Sequence, residues 1–452
     1  MINNTIIAQC TPKGSGAIAL IRISGNKAVT ITDSISKLAS GKKLSELESH
    51  TIHFGWITGS NGKKIDQVMF LLMKAPKTFT GEDTVEITCH NNPFIIEEII
   101  NLAIQNGARI AQPGEFAKQA FLNDKLDLIQ AESINELIHA QTQQALKKSL
   151  SQTEGSLSKF ICEIEEDIIL ALAHSDASFE FLEEEDIAFA PQIKEILNTI
   201  QNKIARIKQN FEKRQLIKQG VKIALVGGVN AGKSSLFNAL IGQDKAIVTD
   251  IAGTTRDTVE SSLYKNGSFL TLVDTAGIRE TTDIVEQKGI EKSIQQAALA
   301  DIILLITDAS KEPSDQEKSL FNELLTKYPS KITTVFHKID LKDNAELHVD
   351  IKTSIKDSNS IEHLKKHIDN KIVNLLTTAD SPFLLNERQI ELIEDLEKNI
   401  TEIQSMLKTK SVEYELVSYQ LKKSLESLAE ITGKTVSEES MNKIFKQFCV
   451  GK

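Results

Sequence analysis

The chain has 452 residues, too many for one ordinary hydrophobic core, so roughly two to four domains are expected. Hydrophobic content of 40% and charged content of 25%, with only 22 Gly and 8 Pro, exclude a low-complexity chain and place it in the globular class. A net charge of −10 excludes binding of nucleic acid through the overall field, so any RNA contact needs a local basic face or a partner. The four cysteines, Cys10, Cys89, Cys162 and Cys449, lack CxxC or Cys/His metal spacing and predict unpaired thiols in a reducing compartment. The opening "MINNTIIAQCTPKGSGAIAL" has no basic-then-apolar leader, and no apolar run of about 18 residues exists, so a cytoplasmic location without membrane association is expected.

From Thr5 to about Ala120, short alternating runs such as "GAIALIRISG", "IDQVMFLLMKA" and "DTVEITCH" predict strands. Helical stretches near Lys27 to Leu38 and Pro93 to Gln105 interleave with them, giving an α+β domain over 1–119. Beyond Gln112 apolar residues recur three and four apart with almost no Gly, which predicts helices through Ile193, Leu197, Ile200, Ile204 and Ile207. The acidic run from Phe179 to Phe189 reads as a solvated bend between helices, with a binding surface as the other reading.

Near Gly220 the pattern switches. "KIALVGG", "FLTLVDTAG", "DIILLITDAS", "KITTVFHKID" and "HVDIKTS" alternate with helices, the mark of a parallel α/β sheet over 219–378. Helical spacing then resumes at Ile393, Leu396, Ile400, Ile403 and Leu407, a seam that wants a partner. The helices before Gly220 are the nearest candidates. One discontinuous all-α domain, 120–218 plus 379–452, with the α/β domain inserted into it, is therefore expected.

"GGVNAGKSSLFNAL" places Gly227, Gly232, Lys233 and Ser234 in G-x-x-x-x-G-K-[ST], after a strand and before a helix. Backbone N–H groups from Asn230 to Ser235, Ala231 included, and the helix N-terminus favour phosphate; Lys233 would reach the β/γ oxygens and Ser234 would ligate Mg²⁺. "DTAG", Asp274, Thr275, Ala276 and Gly277, also ends a strand; its Asp can hold the Mg²⁺ shell and the Gly277 N–H can meet a γ-phosphate.

Guanine is favoured over adenine by "HKID", His337, Lys338, Ile339 and Asp340. The Asp340 carboxylate can accept from the ring N–H and exocyclic amine of guanine, with a turn-forming Asp as the lesser alternative. "TSIK" adds Ser354, Ile355 and Lys356, whose backbone can donate to the guanine carbonyl. Two positions depart from the common GTPase pattern: His337 stands where Asn is usual, and Ile355 where Ala is usual. A His N–H can still donate to a purine nitrogen. Ile278, after DTAG, cannot orient water, so the helper must come from elsewhere. Glu286 acting through a bridging water is the candidate, beside its alternative as a charge at a helix start.

Taken in order, "TIIAQCTPKGSGAIALIRISG", "TFTGEDTVEITCH", "PGEFAKQAFLNDKLDLIQAE", the phosphate loop, "IVTDIAGTTRD", "DTAGIRE" and "FCVGK" resemble the tRNA modification GTPase family called MnmE or TrmE. The resemblance runs along essentially the whole chain. It implies an N-terminal tetrahydrofolate-binding domain that also dimerises, a helical domain interrupted by a Ras-like G domain, and a homodimer. It further implies action with the flavoprotein MnmG, installing an aminomethyl-type (carboxymethylaminomethyl) group at carbon 5 of the wobble uridine of certain tRNAs. The one-carbon unit would come from 5-formyl- or 5,10-methylene-tetrahydrofolate.

Folate contacts would fall on Arg22, Glu86, Lys125 and Lys452, each of which reads alone as a surface charge. The family's K⁺ site would fall on Asn230 and the stretch Thr249, Asp250, Ile251, Ala252, Gly253 and Thr254, with Thr249, Ile251 and Thr254 as ligands and Thr255 on Mg²⁺. Glu286 matches the water-orienting glutamate. Cys449 fits an inert packing thiol as well as a reactive one and stays outside the catalytic set. Two other classes compete: a regulatory GTPase of ribosome assembly, against which the folate-type segments speak, and an ATP-driven remodeller, against which Asp340 speaks.

Overall fold

Alternating residues in the first third build an antiparallel sheet. The computed structural model describes residues 5–180, 189–208, 214–228, 230–241, 259–265, 268–274, 294–341, 349–377, 382–409 and 412–451. The chain divides into two compact units. One comprises Met1–Ile138, Leu150–Ile204 and Asn386–Lys452; the other comprises His139–Ser149 and Ala205–Leu385.

In the first unit, β1 (Ile6–Gln9), β2 (Ile18–Ser24), α1 (Ala28–Ser34), β3 (Ser36–Leu38), β4 (Thr51–Thr58), β5 (Lys64–Met73), β6 (Thr84–His90), α2 (Pro93–Gln105) and β7 (Arg109–Ile110) follow in chain order. The sheet order is β3-β4-β5-β6-β2-β1-β7, antiparallel except for β1 beside β7. One face, with Ile21, Ile23, Phe70, Leu72, Val85 and Ile87, is buried under α1 and α2. α2 starts where expected because the Asn92 side chain accepts from Phe94 N and Pro93 opens the first turn. The helix expected over Lys27 to Leu38 is shorter. Its β-branched Val29, Thr30, Ile31 and Thr32 hold a helix weakly, and Ser36 to Leu38 instead find strand partners from Gly55 to Ile57 on β4.

Helices α3 (Glu115–Leu122), α4 (Leu128–Ile138), α5 (Gln143–Thr153), α6 (Ser156–Glu180), α7 (Phe189–Lys208) and α8 (Arg214–Gln219) lead to the α/β segment. The run 181–188, most of the acidic bend, lies outside the described residues. In the second unit, β8 (Val221–Gly227), α9 (Lys233–Ile241), β9 (Val259–Lys265), β10 (Ser268–Asp274), β11 (Ile302–Asp308), α10 (Asp315–Lys327), β12 (Ile332–His337), β13 (Ile351–Thr353) and α11 (Ser358–Thr377) form a six-stranded sheet in the order β13-β12-β11-β8-β10-β9. All neighbours are parallel except β9 against β10. Central strands such as "KIALVG" are nearly continuously apolar because both faces carry a core, Leu225 and Leu304 toward one and Val226 and Leu305 toward the other.

After this insertion, α12 (Glu387–Met406), α13 (Tyr414–Thr432) and α14 (Glu438–Phe445) return to the first unit. The seam predicted on α12 is buried at Ile393, Leu396, Ile400 and Ile403, with Leu407 half-buried. α12 packs on α13, and α13 packs on α6. A charged clasp ties segments from either side of the insertion. Arg388 Nε and Nη2 donate to the two oxygens of Glu132 on α4, each at 2.8 Å, and Gln389 Nε2 adds a third donor at 2.7 Å. Among the described residues no helix is long and apolar enough to cross a membrane.

Candidate functional site

The second unit gathers its polar motifs at the carboxyl ends of parallel strands, the edge where α/β sheets bind ligands. Ile306 pairs with Gly227, Asp308 with His337, and His337 with Thr353, so the ends of β8, β11, β12 and β13 stand side by side. β10 ends there too, with Asp274 opposite Leu225.

Between β8 and α9 the chain turns through Asn230 at φ 61° and Gly232 at φ +95°, both in the left-handed region. At Gly232 an added Cβ would also lie 2.4 Å from His337 Cδ2, so the buried ring would have to move to admit a side chain. α9 then begins at Lys233, presenting Ser234 and Ser235 at its exposed first turn. Lys233 is buried to 7% exposure, and its ammonium donates to Gly227 O at 2.7 Å and Gly228 O at 2.6 Å. Ala231 is buried and its N–H donates to Gly228 O.

The HKID segment is held from the same edge. Lys338, itself at φ 65°, donates to Asn230 O at 2.6 Å and to Asp308 Oδ2 at 2.7 Å. Burial alone would raise the Asp308 carboxyl, but Lys338 and the donors of Ser310 outweigh it and hold it at about 2. Asp340 accepts from Lys356 Nζ at 2.8 Å and Ser354 Oγ at 2.7 Å, and these two donors, Lys356 first, lower its pKa. Ile339 N–H donates to Thr353 O, and Ile355 is 54% exposed. His337, which the sequence reading turned toward a purine nitrogen, is 1% exposed with Nδ1 3.0 Å from Thr353 Oγ1.

Thr249, Asp250, Ile251, Ala252, Gly253, Thr254, Thr255, Thr275, Ala276, Gly277, Ile278 and Glu286 lie outside the described residues. Among the described residues no cluster of three or more His, Cys, Asp or Glu could hold a metal. Sequence reasoning passed over Asp308 and Glu317, and took Thr353 only as the start of the TSIK stretch, without its side-chain bond to His337. Glu317 Oε2 accepts from Ser314 N–H at 2.7 Å, capping α10, while its Oε1 lies against Gly228. A strand ending in Asp-Ala-Ser and a Ser-x-x-Glu capping box were the available signals.

In the first unit, Arg22 on β2 stands opposite Glu86 on β6, and Arg22 Nε and Nη2 both reach Glu86 Oε1 at 2.8 Å. The guanidinium lies over the rings of Phe116, 5.4 Å, and Phe79, 5.9 Å. The same loop as Phe79 carries Gly81, next to the stem of exposed Lys125, and Thr80, whose carbonyl accepts from Asn123 Nδ2. The segment after α14 docks here. Gly451 O accepts from Arg22 Nη1 at 3.2 Å and Cys10 Sγ at 3.3 Å, and Cys449 O accepts from Gly114 N–H. Phe445 and Phe448 pack with Ala117 and Leu128 behind it. Lys452 lies outside the described residues.

Two family models match the chain: "GTP-binding protein TrmE N-terminus" over residues 5–125 and "MnmE helical domain" over residues 128–449. The tRNA modification GTPase MnmE of Geobacillus thermodenitrificans is 38% identical, covering 99% of both chains. That of Bacillus subtilis is 36% identical over 99% of this chain and 100% of its own length. Among solved structures, the G domain of the T. maritima FeoB iron transporter is 29% identical over 34% of this chain and 98% of that one, with a TM-score of 0.25. Matched over almost its full length, in the order its own motifs run, the chain belongs to the MnmE (TrmE) family of tRNA modification GTPases.

Proposed function

We propose that the protein hydrolyses GTP in the service of tRNA modification. The observation that carries this reading is the shared strand edge on which the phosphate loop and the Asp340–Ser354–Lys356 cluster meet. Asp340 is an acceptor held ionised by Lys356 and Ser354, suited to the two adjacent donors of guanine. Mg²⁺ would be held by Ser234 and Thr255, with Asp274 in its outer shell, and neutralises phosphate charge when bound. K⁺ would be held by Asn230, Thr249, Ile251 and Thr254, with Asn230 already fixed in its left-handed turn by the Lys338 bond to its carbonyl. Glu286 would orient the attacking water.

The second site would bind a 5-formyl- or 5,10-methylene-tetrahydrofolate through Arg22, Glu86, Lys125 and Lys452. Its residues suit that ligand: Arg22 Nε and Nη2 both bond Glu86 Oε1, leaving Oε2 to accept from a pterin N–H, beside the rings of Phe79 and Phe116. In this reading 1–119 binds folate and dimerises, 219–378 is the G domain, and 120–218 with 379–452 forms the helical domain. The homodimer works in the cytoplasm with MnmG to place a carboxymethylaminomethyl-type group on carbon 5 of the wobble uridine of certain tRNAs. Nucleoside analysis of tRNA from cells with and without the protein tests this. Loss of the modified wobble uridine is expected, and an unchanged profile refutes it.

A further inference from the structure

The His337 ring bears on base recognition, given the guanine-nucleotide reading above. Its Nδ1 lies 3.0 Å from Thr353 Oγ1, and the Thr353 hydroxyl is itself donated to Phe336 O at 3.3 Å. With its proton committed, Oγ1 can only accept. The hydrogen-bond network therefore assigns the ring N–H to Nδ1 and a lone pair to Nε2. Nε2 lies on the edge packed against the phosphate loop, 2.9 Å from where a Gly232 Cβ would stand.

The groups around the ring keep it neutral. Burial first, and the Lys338 ammonium second, lower its pKa; Asp308 and Asp340 pull the other way. Both carboxylates are already engaged, Asp308 with Lys338 and Asp340 with Lys356.

We infer that His337 is a positioning residue that joins the phosphate loop to the base loop and leaves N7 of guanine unread, so that hydrogen bonding to the base from this segment rests on Asp340. Purine N7 offers only a lone pair, and so does Nε2, while the one ring N–H is spent on Thr353. Two acceptors form no bond. The ring instead completes a run of contacts from Gly232 through His337 to Thr353, whose neighbour Ser354 donates to Asp340. The Asn usual at this position carries two N–H donors, enough for Thr353 and N7 together. Here the wider, buried ring exchanges that base contact for a rigid spacer.

The test uses the full chain and calorimetric titration with GDP and with 7-deaza-GDP, which lacks the N7 acceptor, at about pH 7.5, where the ring is neutral. The wild-type protein should bind the two within about twofold. His337→Asn supplies the missing donor, so GDP should then bind about tenfold better than 7-deaza-GDP, the ~1.4 kcal/mol of one hydrogen bond. A tenfold preference for GDP in the wild type overturns the inference, and so does equal binding of the two ligands by His337→Asn. A wild-type protein that binds neither overturns the nucleotide reading along with it. Inosine diphosphate, without the exocyclic amine, should bind more weakly than GDP to both proteins; equal binding would overturn the reliance on Asp340.

Discussion

Replacing Gly451 by Ala adds one carbon where the backbone leaves no place for it. Gly451 has φ +94°, a conformation that costs an L-residue about 1 kcal/mol or more, and its added Cβ would lie 2.7 Å from Cys10 Cα and 3.0 Å from Gln9 O. Those are backbone atoms of β1 and the turn after it, and β1 is paired on both sides, with β2 and β7. The strand cannot yield, so the segment must lift. Lifting forfeits the Arg22 and Cys10 bonds to Gly451 O, about 1 kcal/mol for the charged donor at a half-buried position and a few tenths for the thiol. The total, about 2 kcal/mol or more, disfavours the docked segment roughly 30-fold. If the docked segment completes the folate site, titration with 5-formyl-tetrahydrofolate should show at least about tenfold weaker binding, with GDP affinity in the other unit kept within about twofold. Deleting "FCVGK" should do the same. Folate affinity within twofold of wild type in Gly451→Ala would refute the role given to the docked segment.

Asp340→Asn should weaken GTP and favour xanthosine triphosphate, because an amide donor would face a guanine donor; unchanged GTP turnover, measured by phosphate release, would remove Asp340 from base recognition. Replacing K⁺ with Na⁺ at matched ionic strength, or Asn230 with Ala, should lower kcat about tenfold, ~1.4 kcal/mol, and Glu286→Ala should lower kcat with GTP binding retained. Equal steady-state rates in the two salts would remove the monovalent cation from the mechanism. Asp308 is held at about 2, below its unfolded value of about 3.9, so its pairing with Lys338 stabilises the fold above about pH 4 and is lost as pH falls toward 2. Acid unfolding followed for Asp308→Asn should show a flatter limb across that window.

Strong local signals were legible in the sequence. "GKSS" after an apolar strand, the strands ending at Asp274 and His337, and the α12 seam all appear where the pattern put them, because glycine turns and apolar periodicity act within a few residues. What escaped depends on groups far apart in the chain. Ser36 to Leu38 continue a helical pattern until β4 offers them a sheet edge. The orientation of His337 follows from Thr353 and Gly232, on two other elements, and a motif comparison reports only that it replaces Asn. Arg22 and Glu86 read as isolated surface charges, since nothing between positions 22 and 86 announces that their strands are neighbours in register. The Arg388–Glu132 clasp is likewise invisible without the fold.

The α6–α13 contact has a consequence for how the protein is made. α6 buries Ile161, Ile164 and Ile168 completely, yet α12 and α13, which close that side of the unit, lie beyond the whole Ala205–Leu385 segment. At roughly 5–20 residues per second, a ribosome needs on the order of ten to forty seconds to pass through the intervening stretch. For that time the nascent helix has only the elements made before the insertion beside it, such as α7, whose Lys203 donates to Asp167, and it lacks the cover of α13, while the inserted α/β unit can already fold. Synthesis of this chain therefore includes an interval in which an apolar helix face is open to chaperones and to aggregation, and its length is set by the size of the insertion.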